Sequence, residues 1–331
     1  MEPAAKQPEQ YPLGCDLVED DTRNYAYHKI QEVGAVTALP AVIEVPAYQF
    51  NQRSIDSCVG QGVGNAKSVQ EGEPKSTRFI WSLAKREQNY QGWGTNVPLT
   101  LKMLQEYGIP KLSTVPDDST LPRDKYMKIC DNVGAEVYVE AAEAKSLSYW
   151  YIYSNNQDLV SKALLEEGIP LITTMMWYTD YNRPDKDGFL PRPTPGNEAG
   201  GHCIILRRKE RIGNRVKCTF RNSWSEKWGD NGDFHVWEDE IVSVYKMGTF
   251  FVIVDIPKPN AVILDKYNGQ LVKNEDSPRV YLVWRKEIVW IENEDIFNFM
   301  KNKGWGDWND IITIPEKTNG TKKFNFEDII S

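Results

Sequence analysis

The first part of the chain carries apolar residues at helical spacing. Residues 77–88 and 97–107 place apolar side chains three and four positions apart, and each segment predicts an amphipathic helix. Pro98 fits the first turn of the second helix, and Gly108 fits its C-cap. A run of small residues that begins at Cys58 predicts a buried helix before these two. The N-terminal half of the domain is therefore predicted to be mainly helical.

A different pattern begins near residue 135. Residues 135–141 alternate as a half-buried strand would, and residues 156–167 form an amphipathic helical pattern. Further strands are predicted at 171–177, 202–207, 215–222, 232–237 and 248–254. Their spacing is typical of an antiparallel sheet or barrel. The basic residues 207–211 lie between two of these apolar runs, which predicts a solvent-exposed hairpin turn.

The composition of the segments predicts three parts. Residues 1–45 form an extended arm, residues 46–256 the main domain, and residues 257–331 a small α+β module that follows a proline-containing linker. Short strands are predicted in this module at 270–273, 280–284, 288–291 and 311–314, with a helix at 293–301. Its tryptophans are either a binding face or the core of the module, and they are Trp284, Trp290, Trp305 and Trp308.

Charge and cysteine content exclude several classes of function. The net charge of −8 and the isoelectric point near 5.2 argue against nucleic acid or an anionic membrane as a partner. No apolar run approaches ~18 residues, so no membrane span is predicted. No signal peptide is visible, which favours a cytoplasmic or virion-associated protein over a secreted one. The five cysteines lack a C-x-x-C pair, which makes both a disulfide framework and a zinc site poor interpretations.

Cys58 is the first candidate for chemistry. It begins the predicted buried helix, where the partial positive charge of the helix N-terminus favours a thiolate. Gln52 lies close enough before it for the side-chain amide to turn back toward the sulfur, which forms half of a site for acyl transfer. Gly60, Gly62 and Gly64 indicate close packing of this helix against the β half. A phosphate-binding loop would need a preceding strand and a Lys-Ser/Thr pair, which the segment lacks.

A histidine and an asparagine farther along the chain are candidates for the other half of the site. His202 follows Gly201, which permits a close backbone approach at the start of a strand. Asn222 can accept a hydrogen bond from one ring nitrogen of His202 and leave the other nitrogen facing the sulfur. Trp224 would shield this pair from water. A histidine at a strand end is often structural, and the strand pattern around His235 favours that interpretation there.

The order of these residues resembles that of the papain-like cysteine peptidases. The segment GGHCIIL contains His202, the segment RNSWSEKWGDNGDF contains Asn222, and both are similar to motifs of that family. The resemblance covers roughly residues 14–256. It implies an α+β fold in which a helical half and an antiparallel β half enclose a cleft. It also implies a protein or peptide substrate and no cofactor.

The same resemblance implies a role for each candidate residue. Cys58 is expected to be the nucleophile, as a thiolate paired with protonated His202. The side chain of Gln52 and the backbone N–H of Cys58 would stabilise the oxyanion. Asn222 would orient the imidazole, and Trp224 would cover the pair. The chain is thus expected to be a cysteine endopeptidase.

Other functions stay open. Residues 55–59 lack the additional cysteine and the tryptophan of the family motif, and an inhibitory propeptide is not evident. The alternative is a binding or structural protein on this scaffold with little or no turnover, such as a component of a bacterial or phage particle. An acyl transferase would use the same thiolate. Residues 269–314 are similar to a small repeat of bacterial surface and secreted proteins, so the C-terminal module is expected to contact a surface or particle partner.

Overall fold

The computed structural model of this chain forms two compact units, Met1–Asp255 and Ile256–Ser331. It describes residues 11–17, 42–118, 120–152, 165, 168–255, 270–274, 279–284, 287–291, 298, 311–314 and 322–323. Among these residues, no helix is both long enough and apolar enough to cross a membrane. The predicted helices at 156–167 and 293–301 lie outside the described residues, apart from Leu165 and Asn298, which are helical. The side chains of the C-terminal tryptophans also lie outside them.

Helices form the first part of unit one, as the periodicity predicted. Their bounds are Cys58–Glu71 (α1), Thr77–Glu87 (α2), Val97–Tyr107 (α3), Arg123–Met127 (α4) and Ala135–Ala142 (α5). Side-chain caps define two of the starts: Ser76 accepts a hydrogen bond from the backbone N–H of Phe79, and Asn96 accepts one from Leu99. Gly108 caps the C-terminus of α3, as expected. These caps satisfy backbone groups that helix ends leave without partners.

The glycines of α1 let this helix pack closely on both sides. A Cβ added at Gly62 would lie 2.7 Å from the sulfur of Cys203, so this glycine allows the predicted contact with the β half. A Cβ added at Gly60 would lie 2.4 Å from the Cβ of Trp81 in α2. Gly64 likewise contacts α2 and not the sheet, so the prediction is correct for one glycine of the three.

An antiparallel sheet forms the other part of unit one. Its strands are Val42–Glu44 (β1), Ser146–Ile152 (β2), Leu171–Tyr178 (β3), Glu198–Ile212 (β4), Arg215–Arg221 (β5), Asp233–Trp237 (β6) and Phe250–Asp255 (β7). The order is β2-β7-β3-β4-β5-β6, and β1 pairs with β4 beyond this path. The five strands predicted after residue 170 are all confirmed. The sheet and α1 pack together through β4, which carries His202.

Two sequence interpretations in this unit are wrong. Residues 135–141 form α5 and not a strand, because Val137 and Ala141 are buried four positions apart, on one helix face, while Val139 between them is 68% exposed. The alternation of apolar residues imitated a strand. The strand at the outer edge of β7 is instead β2, which the pattern did not indicate.

The basic residues 207–211 do not form a turn. They lie within β4, and the chain reverses after Ile212. Three of the four basic side chains are paired with acidic ones: Arg207 donates to Asp233 at 2.7 Å, Arg208 contacts Glu44, and the buried ammonium of Lys209 contacts Glu238. These ion pairs allow the basic side chains to lie within a strand, where the sequence predicted an exposed turn.

The second unit contains a mixed sheet. Its strands are Leu271–Asn274 (β8), Val280–Trp284 (β9), Glu287–Ile291 (β10), Ile312–Ile314 (β11) and Lys322–Lys323 (β12). Their order is β11-β8-β9-β10-β12. The β8, β9 and β10 strands pair antiparallel, whereas β11 and β12 join the edges in parallel. All four strands predicted in this module are confirmed, and β12 is additional.

The Gly60→Ala substitution tests the packing of α1. Alanine favours a helix over glycine by about 0.5–1 kcal/mol, but its methyl group would meet Trp81 and the carbonyl oxygen of Thr77, at 2.4 and 2.8 Å. We expect the free energy of unfolding to fall by about 1–3 kcal/mol, as for other overpacked cores. Urea unfolding of the variant and the parent measures this difference in the free energy of unfolding. In the control Gly134→Ala, the methyl group meets only the exposed, rotatable carboxylate of Glu136. A Gly60→Ala protein as stable as the parent would contradict this packing.

Candidate active site

Cys58 lies at the N-terminus of α1, as the sequence predicted, and its side chain is fully buried. Its sulfur accepts a hydrogen bond from the backbone N–H of Gly14, at 3.3 Å. The backbone N–H groups of Cys203 and Val59 also lower the pKa of the thiol, against the effect of burial. Cys203 directly follows His202 on β4, the strand against which α1 packs.

His202 and Asn222 are joined by a hydrogen bond between adjacent strands. His202 lies on β4, Asn222 directly follows β5, and the distance from His202 Nε2 to Asn222 Oδ1 is 2.8 Å. The backbone N–H of Ser223 donates to the same oxygen at 2.7 Å, which orients the amide. An amide oxygen can only accept, so Nε2 carries the hydrogen and Nδ1 is the basic nitrogen. Among the described residues, Nδ1 of His202 has no hydrogen-bond partner.

Two tryptophans pack against His202. The ring of Trp224 lies 4.8 Å from the imidazole, as the sequence predicted for a residue that covers the pair. The ring of Trp177 lies 4.9 Å from it, edge-on. Sequence reasoning assigned Trp177 only to a strand. The available signal was its position at the end of β3, opposite Gly200 on β4. These rings give the imidazole an apolar wall.

The side chain of Gln52 is held in one orientation. Its oxygen accepts a hydrogen bond from the hydroxyl of Ser223, at 2.6 Å, and its nitrogen donates to the carbonyl of Ile55, at 2.9 Å. The nitrogen also donates to the carbonyl of Pro12, at 3.1 Å. Ser223, which no sequence argument selected, holds the oxygen of the Gln52 amide and therefore directs its nitrogen toward the carbonyl of Pro12.

Residues 11–17, called here the covering segment, contact the candidate site residues. Besides its contacts with Cys58 and Gln52, the segment donates from Cys15 N–H to the carbonyl of Gly201, at 3.1 Å. The ring of Tyr11 stacks on Trp224, with centroids 4.3 Å apart. The sequence predicted an extended arm here and no inhibitory propeptide, whereas this short part of the arm occupies the site.

Backbone pairing with Thr95 also holds the covering segment. The N–H of Thr95 donates to Gly14 O at 3.0 Å, and its carbonyl accepts from Asp16 N–H at 2.8 Å. This is a parallel bridge between Thr95 and Cys15. Gly201 has the close backbone approach that the sequence predicted, because a Cβ there would lie 2.0 Å from the carbonyl oxygen of Cys15.

The covering segment does not present a peptide bond for attack. Attack requires one carbonyl group whose carbon lies against the sulfur and whose oxygen contacts the oxyanion donors. Here the atom that bonds to the sulfur of Cys58 is the nitrogen of Gly14. The oxygen that bonds to Gln52 belongs to Pro12, two residues earlier. The segment thus blocks both groups without aligning one carbonyl with them.

Burial favours the neutral forms of both titrating groups. It raises the pKa of the Cys58 thiol to about 12, although three backbone N–H groups partly oppose the shift. Burial also lowers the pKa of His202 to about 4, against the effect of the hydrogen bond that His202 donates to Asn222. The sequence predicted a thiolate and an imidazolium. The covered site differs because desolvation penalises both charges.

The remaining cysteines and histidine are structural in the described residues. All five cysteines are free thiols. His235 bonds through Nδ1 to Thr219 and through Nε2 to Asp230, each at 3.0 Å, which agrees with its predicted structural role. No group of three or more His, Cys, Asp or Glu side chains that could hold a metal ion occurs in this part of the chain.

The chain is similar to solved structures of cysteine proteases. Its sequence matches no protein-family model and no curated protein. Xylellain, a cysteine protease from Xylella fastidiosa, has 19% identity and a TM-score of 0.62, over 77% of this chain and 100% of that one. Procathepsin B from Trypanosoma congolense has 13% identity and a TM-score of 0.57, over 74% of this chain and 87% of that one. A digestive procathepsin L proteinase from the larval midgut of Tenebrio molitor has 16% identity and a TM-score of 0.56, over 75% of this chain and 81% of that one. The chain therefore has the papain-like cysteine protease fold, as its motifs predicted.

Proposed function

We propose that this protein is a cysteine peptidase that hydrolyses peptide bonds through Cys58, His202, Asn222 and Gln52. The observation that carries the proposal is the arrangement around His202. Its Nε2 is held by Asn222 at 2.8 Å, and its Nδ1 has no hydrogen-bond partner among the described residues. The backbone N–H of the next residue, Cys203, lowers the pKa of Cys58. A basic nitrogen without a partner suits proton transfer with the thiol of Cys58.

The reaction follows from these groups. Nδ1 of His202 takes the proton of Cys58, and the sulfur attacks the carbonyl carbon of the substrate. Nε2 of Gln52 and the backbone N–H of Cys58 stabilise the oxyanion; the latter belongs to the first turn of α1, whose N–H groups lack intrahelical acceptors. His202 then gives the proton to the leaving amine. The resulting thioester is hydrolysed by water, which releases the acid and restores the thiol.

The proposed reaction requires displacement of the covering segment. The segment uses the hydrogen-bonding groups of Cys58, Gln52 and Gly201 that a substrate would need. Its removal would admit water, which stabilises both charged forms and favours the thiolate–imidazolium pair. The covered arrangement is therefore a latent form of the proposed peptidase.

A binding protein without turnover is the second candidate. The occupied site and the neutral forms of Cys58 and His202 favour it. The two candidates differ in the reactivity of Cys58 once the covering segment is displaced, because only a peptidase needs a reactive thiol there.

The Gly14→Val substitution tests latency. A Cβ at Gly14 would lie 1.8 Å from the carbonyl oxygen of Asp56, so the covering segment must move away from Cys58. We expect iodoacetamide to label Cys58 faster, and the apparent pKa of labelling to fall from the value near 12 of the covered thiol. Mass spectrometry of the intact protein across a pH series measures both.

The exposed end of the covering segment supplies the control. Leu17→Ala alters a side chain that is 45% exposed, so labelling should stay at the parent rate. Slow labelling of Cys58 with an unchanged pH dependence in folded Gly14→Val protein would contradict the peptidase and favour the binding protein.

The roles of individual residues are tested in the Gly14→Val protein with a mixture of synthetic peptides. We expect Cys58→Ala and His202→Ala to abolish cleavage. We expect Gln52→Ala to lower kcat by roughly 10²–10³, the cost of one lost oxyanion donor. Cys130→Ala removes another buried thiol and should leave cleavage unchanged. Chromatography of the products measures the rates. Cleavage by Cys58→Ala at the rate of its parent would disprove the assignment.

A further inference from the structure

Lys85 is a fully buried lysine in the last turn of α2. Its ammonium nitrogen donates three hydrogen bonds to neutral oxygens. The acceptors are the side-chain oxygen of Gln88 at 3.0 Å, the carbonyl of Gln91 at 2.5 Å and the carbonyl of Gly94 at 2.6 Å. An ammonium has three donors, so this set uses all of them. A cation buried among backbone carbonyls organises the segment that supplies those carbonyls.

Residues 88–94 need such support. Asn89 and Tyr90 have φ values of 50° and 57°, in the left-handed region that residues with a Cβ seldom adopt. Gly92 also has a positive φ, of 60°. Such a backbone persists when surrounding contacts determine it. Lys85 contacts this segment at two points. Its backbone carbonyl accepts a hydrogen bond from Tyr90 N–H at 2.7 Å, and its ammonium donates to the carbonyl of Gly94 at the end of the segment.

The bond to Gly94 extends this support into the cleft. The carbonyl of Gly94 and the N–H of Thr95 belong to one planar peptide group and point in opposite directions. The ammonium of Lys85 donates to the oxygen of this peptide group. The N–H of Thr95, on the other side of the same group, donates to the carbonyl oxygen of Gly14 in the covering segment, at 3.0 Å. A cation on the oxygen orients the plane and also strengthens the N–H as a donor.

We propose that Lys85 is a positioning residue for the peptide backbone bound in the cleft: it fixes the Gly94–Thr95 peptide group, which then pairs with a bound chain. The covering segment is the bound chain in this structure. In the active form the partner is the substrate, and this part of the inference rests on the proposed function. The ammonium of Lys85 bonds to Gln88, Gln91 and Gly94, so Lys85 acts on the binding of the covering chain and leaves the reactivity of the uncovered thiol unchanged.

A cycle of two substitutions tests the inference on the full chain. Lys85→Met removes the three donors, so the covering segment should lose its hold on Thr95. We expect labelling of Cys58 by iodoacetamide to accelerate by up to about tenfold, the effect of one or two weakened hydrogen bonds. In the Gly14→Val protein, where the segment is already displaced, Lys85→Met should not change the rate.

Direct binding gives a second readout that is independent of catalysis. The probe is the synthetic peptide Tyr-Pro-Leu-Gly-Ser-Asp-Leu, which repeats the covering segment with serine in place of Cys15. It is titrated into Gly14→Val protein that also carries Cys58→Ala, and tryptophan fluorescence follows binding, because Tyr11 stacks on Trp224. We expect Lys85→Met to raise Kd by about tenfold. Lys85→Arg should restore part of the affinity.

Controls separate positioning from general stability. Lys102→Met alters a half-exposed lysine of α3 and should change neither readout. Circular dichroism confirms that each variant is folded, and Lys85→Arg carries the test if Lys85→Met does not fold. An unchanged Kd in folded Lys85→Met, or in folded Lys85→Arg if only that variant folds, would overturn the inference. Slower labelling by Lys85→Met in the Gly14→Val protein would also overturn it.

Failure of the proposed function has a different signature. A Cys58 that labels slowly in every variant would contradict the peptidase. The peptide titration does not depend on thiol reactivity, so the change in Kd would still decide whether Lys85 supports the bound chain.

Discussion

The close contact between α1 and β4 is the constraint on which the candidate site depends. Gly62 has no side chain, and this allows the sulfur of Cys203 to lie against the helix. The same contact brings the backbone N–H of Cys203 near enough to Cys58 to lower the pKa of its thiol. A methyl group at this point would meet the sulfur of Cys203 at 2.7 Å. Shape, more than any polar interaction, sets how closely the helix packs on the sheet.

Burial has two opposite effects in this site. It excludes water and lets Asn222, Trp177 and Trp224 hold the imidazole in one orientation. It also raises the pKa of Cys58 and lowers that of His202, because neither charged form is solvated. A site built in this way stays neutral while residues 11–17 cover it. Access to solvent then becomes the variable that controls the charge state.

The sequence indicated the candidate side chains of the site but not the contacts that support them. Cys58, His202, Asn222 and Gln52 stand out because few residue types could perform the roles proposed for them. Ser223, Trp177 and Lys85 escaped notice, since a serine, a strand tryptophan or a helical lysine is common and has many uses. The secondary-structure prediction was wrong in two places. Residues 135–141 alternate as a strand would but form a helix, and residues 207–211 were predicted to form a turn but lie within a strand, where ion pairs hold their side chains.

The sequence by itself determined the mainly helical first half, five strands of the second half, and the residue types that could perform acyl transfer. Apolar periodicity and the rarity of those residue types carry this information locally. Only the tertiary structure decided that residues 11–17 occupy the site and that Lys85 holds the peptide group of Thr95. Both contacts run mostly through backbone N–H and C=O groups. Every residue except proline offers the same two groups, so the amino-acid sequence does not mark which of them will meet.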